Sequence, residues 1–232
     1  MKLFDLAFAC YIYRYKADDK SYLGFLKGTD YKPDLSRQDH RFLLIEWLRN
    51  WGCRQFAKEY DALVSEEIKD WYKNFKSFLP KSTKNLIELS PNEIDDACIA
   101  YENLKERTAS KRKIGKRISK VRIGATGAAK ALFILRPDSL ILWDSPIREN
   151  LKLDGESESY KKYLYRAISD LQELEKDCRK AHISFSGLPK ELGRPNSSLV
   201  KMVDEYYWIT ETNGFVIPTS SDLADWSKWK SL

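Results

Sequence analysis

Apolar residues recur at helical spacing along most of the chain. Between Ser36 and Trp51, Phe42, Ile45 and Leu48 fall three apart. From Phe56 to Leu79, Tyr60, Leu63, Val64, Ile68, Trp71, Phe75 and Phe78 continue the pattern as far as Pro80. Each stretch would bury one stripe and leave the opposite face to water, so each reads as an amphipathic helix. A third helix is predicted from Pro91 to about Arg107, because Ser90 can cap it, Pro91 suits its first turn and Glu93 stands three residues beyond the cap. Further helices are expected at 126–136, 146–152, 157–182, 196–211 and 220–230, separated by Pro137, Gly155, Gly187 to Pro189, Arg194-Pro195 and Gly214. Leu140–Trp143 and Phe215–Ile217 are the two short runs with an extended character. The expected fold class is all-α.

Composition narrows the class. With 232 residues and 43% hydrophobic content the chain can bury a full core. Met1 to Tyr13 is apolar but carries Asp5 and lacks a small-residue cleavage site, so it reads as a buried helix, not a secretion signal. No apolar run approaches the roughly 20 residues of a membrane span, and a cytoplasmic protein without membrane association is expected. Cys10, Cys53, Cys98 and Cys178 lack the paired spacing of a zinc or iron–sulfur site and read as reduced core thiols. His40 and His182 have no neighbouring second ligand, so neither a metal nor a cofactor is expected. His40, between Asp39 and Arg41, is placed on a helix surface.

Charge changes the picture more. The segment 107–136 contains Arg107, Lys111, Arg112, Lys113, Lys116, Arg117, Lys120, Arg122, Lys130 and Arg136, and no Asp or Glu. The remainder of the chain carries more acid than base, so the net charge of +6 is local to this stripe. A basic stripe on a mildly acidic body suits a sequence-independent hold on a phosphate backbone, where each neutralised phosphate releases counterions. A solvated, self-repelling loop face is the alternative. Within the stripe, Gly124 and Gly127 permit a tight turn, and Ala128, Ala129 and Ala131 lead into a helix that Pro137 stops. Backbone N–H groups at such a helix start can bind a phosphate oxygen; small residues there also let two helices pack closely.

Eighteen residues after Thr126 comes Leu142-Trp143-Asp144-Ser145-Pro146-Ile147. Asp144 closes an apolar segment and opens a helix, with Pro146 suited to the first turn. Its carboxylate can cap that helix, or it can face the sugar of a nucleotide anchored by the basic turn.

This arrangement resembles the helix-hairpin-helix DNA glycosylases, in which a hydrophobic-Gly-hydrophobic-Gly hairpin precedes a helix opened by Lys or Ser, with an Asp eighteen residues on. Ile123-Gly124 falls on the second hydrophobic and second glycine, Thr126 on the Lys or Ser position, Ala128 on the alanine and Asp144 on the aspartate. Arg122 stands in place of the first glycine, so the turn departs from the pattern there. The match covers about 30 residues, or about 65 with the helix at 91–107. Lys130-Ala-Leu, Arg136-Pro137, Trp143-Asp144-Ser145 and Ser198 to Trp208 are also similar to a divergent bacterial branch, which includes anti-phage glycosylases acting on hypermodified cytosine.

The resemblance implies a two-lobed helical protein with a helix-hairpin-helix element. Residues 1–90 would form an N-terminal lobe, 91–155 the hairpin lobe, and 156–232 helices packing back on the first. It implies that double-stranded DNA is the partner and that a base is flipped from the stack before its bond to the sugar is cut; the sequence does not fix the oligomeric state, and a monomer is the expectation. Asp144 would stabilise the oxocarbenium character at the anomeric carbon and orient a water. Lys116, Arg117, Lys120, Arg122, Gly124, Ala125, Thr126 and Gly127 would hold the DNA backbone. Family members with lysine at the Thr126 position form a Schiff base and nick the strand, so Thr126 implies a monofunctional enzyme that leaves an abasic site. Lys130, one helical turn beyond, is a possible second contributor, with phosphate contact or a surface charge as its alternative role.

Most aromatic residues follow the helical periodicity and belong to the core; Tyr11, Tyr13, Tyr31 and Trp51 stand off it and are candidates to stack on a base. Asp30, Asp39 and Asp204 are expected at the surface or as caps, with contact to a base amine or a sugar hydroxyl as the alternative. Two other classes of function remain open. One is a non-enzymatic DNA-binding module in which Asp144 only caps its helix; the other is an interaction protein whose basic stripe meets an acidic partner.

Overall fold

The helical periodicity is realised as eleven α-helices and one two-stranded ribbon in a computed structural model, which describes residues 1–228. The first four helices are α1 (Leu3–Lys16), α2 (Lys20–Gly28), α3 (Gln38–Asn50) and α4 (Asp61–Phe75). Next come α5 (Pro91–Lys105), the strands β1 (Thr108–Ile114) and β2 (Arg117–Arg122), and α6 (Gly124–Leu135). The chain continues through α7 (Ser145–Asn150), α8 (Ser157–Lys180), α9 (Leu188–Glu191), α10 (Leu199–Tyr207), a π-helical turn at Trp208–Thr212, and α11 (Ser220–Lys228). The last two positions of the helix expected at 220–230 lie outside the described residues.

Local signals were realised closely. Ser90 Oγ accepts from the Glu93 N–H at 3.3 Å, and Glu93 Oε2 accepts from the Ser90 N–H at 2.9 Å. Lys84 donates to both oxygens of Glu93, and these bonds hold its carboxyl down to about 2. All four cysteines are unpaired and buried.

Several expectations are corrected. The link between α5 and α6 is not a short glycine hairpin but an antiparallel β-ribbon: β1 and β2 pair from Thr108↔Arg122 to Ile114↔Arg117, and the chain turns from strand to helix at Ile123-Gly124. Leu140–Trp143 and Phe215–Ile217 form no strand. The first is instead an irregular segment crossing the core, all four residues buried, with the Ile141 carbonyl accepting from the Tyr160 hydroxyl at 2.8 Å. The unexpected helix α2 buries Tyr22, Phe25 and Leu26 on one face. His40 is buried, not at the surface, and its Nδ1 accepts from the Asp34 N–H at 3.0 Å.

Helix α6 runs through the centre, with Gly127 to Leu135 all buried. Its small residues are required by packing: a Cβ on Gly127 would lie 2.9 Å from Ile123 Cγ2 and 3.0 Å from Gln55 Nε2. Beside it, Trp143 stacks on Tyr163 with ring centroids 5.3 Å apart, and Tyr101 stacks on Tyr160 at 4.4 Å. One contiguous cluster of buried apolar side chains includes residues from α1 through α10, and α1 packs against α10 and α8.

Candidate active site

A cavity of about 290 Å³ opens where α1, α3, α6, α10 and the start of α7 converge. That size is near the lower end of small-molecule sites, roughly 300 Å³. Its lining includes Tyr13, Ser21, Trp51, Lys130, Leu142, Asp144, Asp204 and Trp208, with Ala17, Asp18 and Asn50 beside them.

Asp144 enters this cavity as the N-cap of α7. Its backbone is extended, with φ −115° and ψ 179°, which lets Oδ1 accept from the Ile147 N–H at 3.0 Å. The Thr212 hydroxyl, from the π-helical turn, lies 3.1 Å from each carboxylate oxygen. Capping and facing the cavity are therefore compatible here. A carboxylate held by a helix N–H and a hydroxyl keeps spare lone pairs for a third partner.

Lys130 is 8% exposed, so the surface-charge alternative for it is corrected. The helical face of α6 that carries it is turned inward. Its Nζ donates to the Trp51 carbonyl at 2.5 Å and lies 5.8 Å from the Trp51 ring centroid. Trp51, just past the end of α3, donates its indole N–H to Ser21 Oγ at 2.9 Å. Tyr13 and Trp208 meet nearly edge to face, 5.6 Å apart. Of the aromatic residues off the helical pattern, Tyr13 and Trp51 line the cavity, while Tyr11 and Tyr31 are exposed elsewhere.

Asp204, like His40, lies buried where a surface position was expected. It is 5% exposed, and its Oδ1 has no hydrogen-bond partner. Burial pushes its carboxyl well above the ordinary value of 3.8. The charges of Asp144 and Glu205 act in the same direction, against Lys201 and Lys130. Behind it lies a buried ionic network. Arg194 donates to both oxygens of Glu205 at 2.7 and 2.5 Å and to Asp19 at 2.6 Å, and Lys201 bonds Glu205 at 2.7 Å and Asp19 at 2.9 Å. The Lys201 ammonium sits 4.6 Å from the centroid of Tyr13, so the network backs the cavity wall directly.

The eight residues expected to hold the DNA backbone fall into three places. Lys116, Arg117, Lys120 and Arg122 project from the ribbon and are exposed, Arg122 pairing with Glu106 at 2.9 Å. Gly124, Ala125 and Thr126 form the first turn of α6, where Gly124 adopts φ +72° and amide N–H groups have no intrahelical acceptor. Gly127 is buried in the core and reserved for packing. This first turn is tied to the Asp144 segment, since Trp143 Nε1 donates to the Ala125 carbonyl at 3.3 Å. Lys130 lies six positions beyond Gly124, so the ribbon joins the cavity through about 9 Å of helix.

Comparisons of the chain with protein-family models, curated proteins and solved structures found no match. The functional reading rests on the geometry above and on the spacing of the sequence.

Proposed function

We propose that this protein is a DNA N-glycosylase that hydrolyses the bond between a flipped base and its sugar and leaves an abasic site. The observation that carries the reading is Asp144, a tethered carboxylate lining a base-sized cavity beside Tyr13, Trp51 and Trp208. A flipped base needs aromatic surface to replace its lost stacking. Cleavage develops positive charge at the anomeric carbon, and a preorganised carboxylate stabilises it.

The ribbon supplies the hold on DNA. A two-stranded ribbon fits the major groove of B-form DNA. Lys111 lies directly opposite Lys120, a like-charge pair that destabilises an isolated hairpin and is relieved by phosphates. The free amides of Gly124, Ala125 and Thr126 lie between this ribbon and the cavity. Lys130 already donates to a carbonyl and lies near an indole ring, and Thr126 stands where a lysine would form the Schiff base, so we assign Lys130 electrostatic support and not Schiff-base chemistry.

Duplexes carrying single modified bases, including glucosylated 5-hydroxymethylcytosine of the kind found in phage DNA, test the assignment. Abasic sites should accumulate with wild-type protein on at least one substrate and not with Asp144→Asn. Asp144 also caps α7, which favours one rival: a binding module without chemistry. That rival predicts salt-sensitive DNA binding that survives Asp144→Asn and no released base from any duplex.

A further inference from the structure

We propose that Asp204 contacts the flipped base directly, reading it and protonating it, and that the site selects bases with an exocyclic amine beside a ring nitrogen. The proposal rests on the glycosylase reading. Asp204 lines the cavity, is 5% exposed and leaves Oδ1 unpartnered. A buried polar atom with no partner ordinarily costs stability; Oδ1 is closed to solvent as the side chain stands, so a base reaches Asp204 from the side of the residue that lines the cavity. The groups around it are Lys201 and Glu205 on its own helix, Asp144, Lys130, Tyr13 of α1, and Tyr163 of α8, whose hydroxyl is also unpartnered.

The chemistry of the lining sets the class of base. Trp51 Nε1, Tyr13 Oη and Lys130 Nζ already donate to protein acceptors. Asp18, Asp144 and Asp204 bring carboxyl oxygens to the same space. Asn50, Trp208 and the further N–H groups of Lys130 keep donors there as well, so the choice of base falls to the carboxyl of Asp204. A neutral carboxyl offers one O–H donor and one carbonyl acceptor. The O–H meets a ring nitrogen that can take its proton, as in cytosine or adenine; the corresponding ring nitrogen of uracil already carries hydrogen and cannot.

The step balances. The carboxyl proton moves to the ring nitrogen as the C1′–N bond breaks, its electron pair passing to the base. Water adds its oxygen to C1′, and the proton it loses passes to Asp144 and then to solvent. Asp204 is reprotonated from solvent, so the sum is hydrolysis.

Matched duplexes carrying 5-hydroxymethylcytosine or 5-hydroxymethyluracil, each with and without a glucosyl group, differ at the pairing edge. Release of the amino base should be at least about tenfold faster. Asp204→Asn should slow it by roughly a hundredfold, the scale of general acid catalysis. The wild-type rate should fall as pH rises through the titration of the carboxyl. Equal release of both bases, an unchanged rate in Asp204→Asn, or a rate flat with pH would overturn the role of Asp204 while leaving the glycosylase standing. Absence of release from every duplex would overturn both. If Asp204→Asn does not fold, the base comparison and the pH profile of the wild type still decide the matter.

Discussion

Asp144 shows how one side chain serves two ends. Asparagine caps helices as well as aspartate does, so Asp144→Asn should leave thermal stability within about 1 kcal/mol and remove the charge. Base release should fall by roughly a hundredfold or more. Circular dichroism melting alongside product assays checks both halves. Lys130 makes a second prediction: borohydride should trap no covalent adduct with DNA, and an adduct abolished by Lys130→Ala would contradict its assignment. Asp204 makes a third, on stability. Its carboxyl titrates higher in the folded state than in the unfolded chain, so the stability it contributes is complete below about 3.8 and is lost as pH rises through the elevated value. The melting temperature of the wild type should therefore decline with pH over that window relative to Asp204→Asn. Parallel curves would show that the carboxyl titrates normally. The place of Asp204 was legible in one respect, because Val200, Val203 and Tyr207 put it on the apolar face of α10. Acidic residues are so seldom buried that composition pointed it outward.

At the scale of elements, what was legible was what is local. The cap of α5 is written in four consecutive residues, and Pro137 follows the end of α6 closely. The ribbon was not legible, because the pattern that reveals a strand is alternation between a buried and a wet face, and most of β2 is exposed on both. Gly115, at φ +60°, was its one local mark. A two-stranded hairpin is marginal on its own, and here β1 rests on α4. Removing Lys111, Lys113, Lys116 and Lys120 should weaken DNA binding at low salt. It should also reduce the slope of log affinity against log salt by nearly one for each phosphate that the ribbon no longer neutralises. Titrations at several salt concentrations measure this, and an unchanged slope would remove the ribbon from the interface.

At the scale of the molecule, the cavity exists because helices distant in sequence meet, so no window of the sequence contained it. Tyr13, Trp51, Lys130, Asp144 and Asp204 span nearly the whole chain, and their convergence depends on the core. The buried network of Arg194, Glu205, Lys201 and Asp19 fixes the wall behind Tyr13. Glu205→Ala would leave Arg194 and Lys201 sharing Asp19 alone, with one buried positive charge uncompensated, and should destabilise the fold by about 3–5 kcal/mol in denaturant titrations. A change under about 1 kcal/mol would mean that water reaches the network.

The most direct measurement is the yield of abasic sites from duplex DNA bearing glucosylated 5-hydroxymethylcytosine, compared between wild-type protein and Asp144→Asn of equal stability. Sites that accumulate with the wild type and not with the variant are the predicted result. Equal yields from the two proteins, or none from either across every modified duplex, would contradict it.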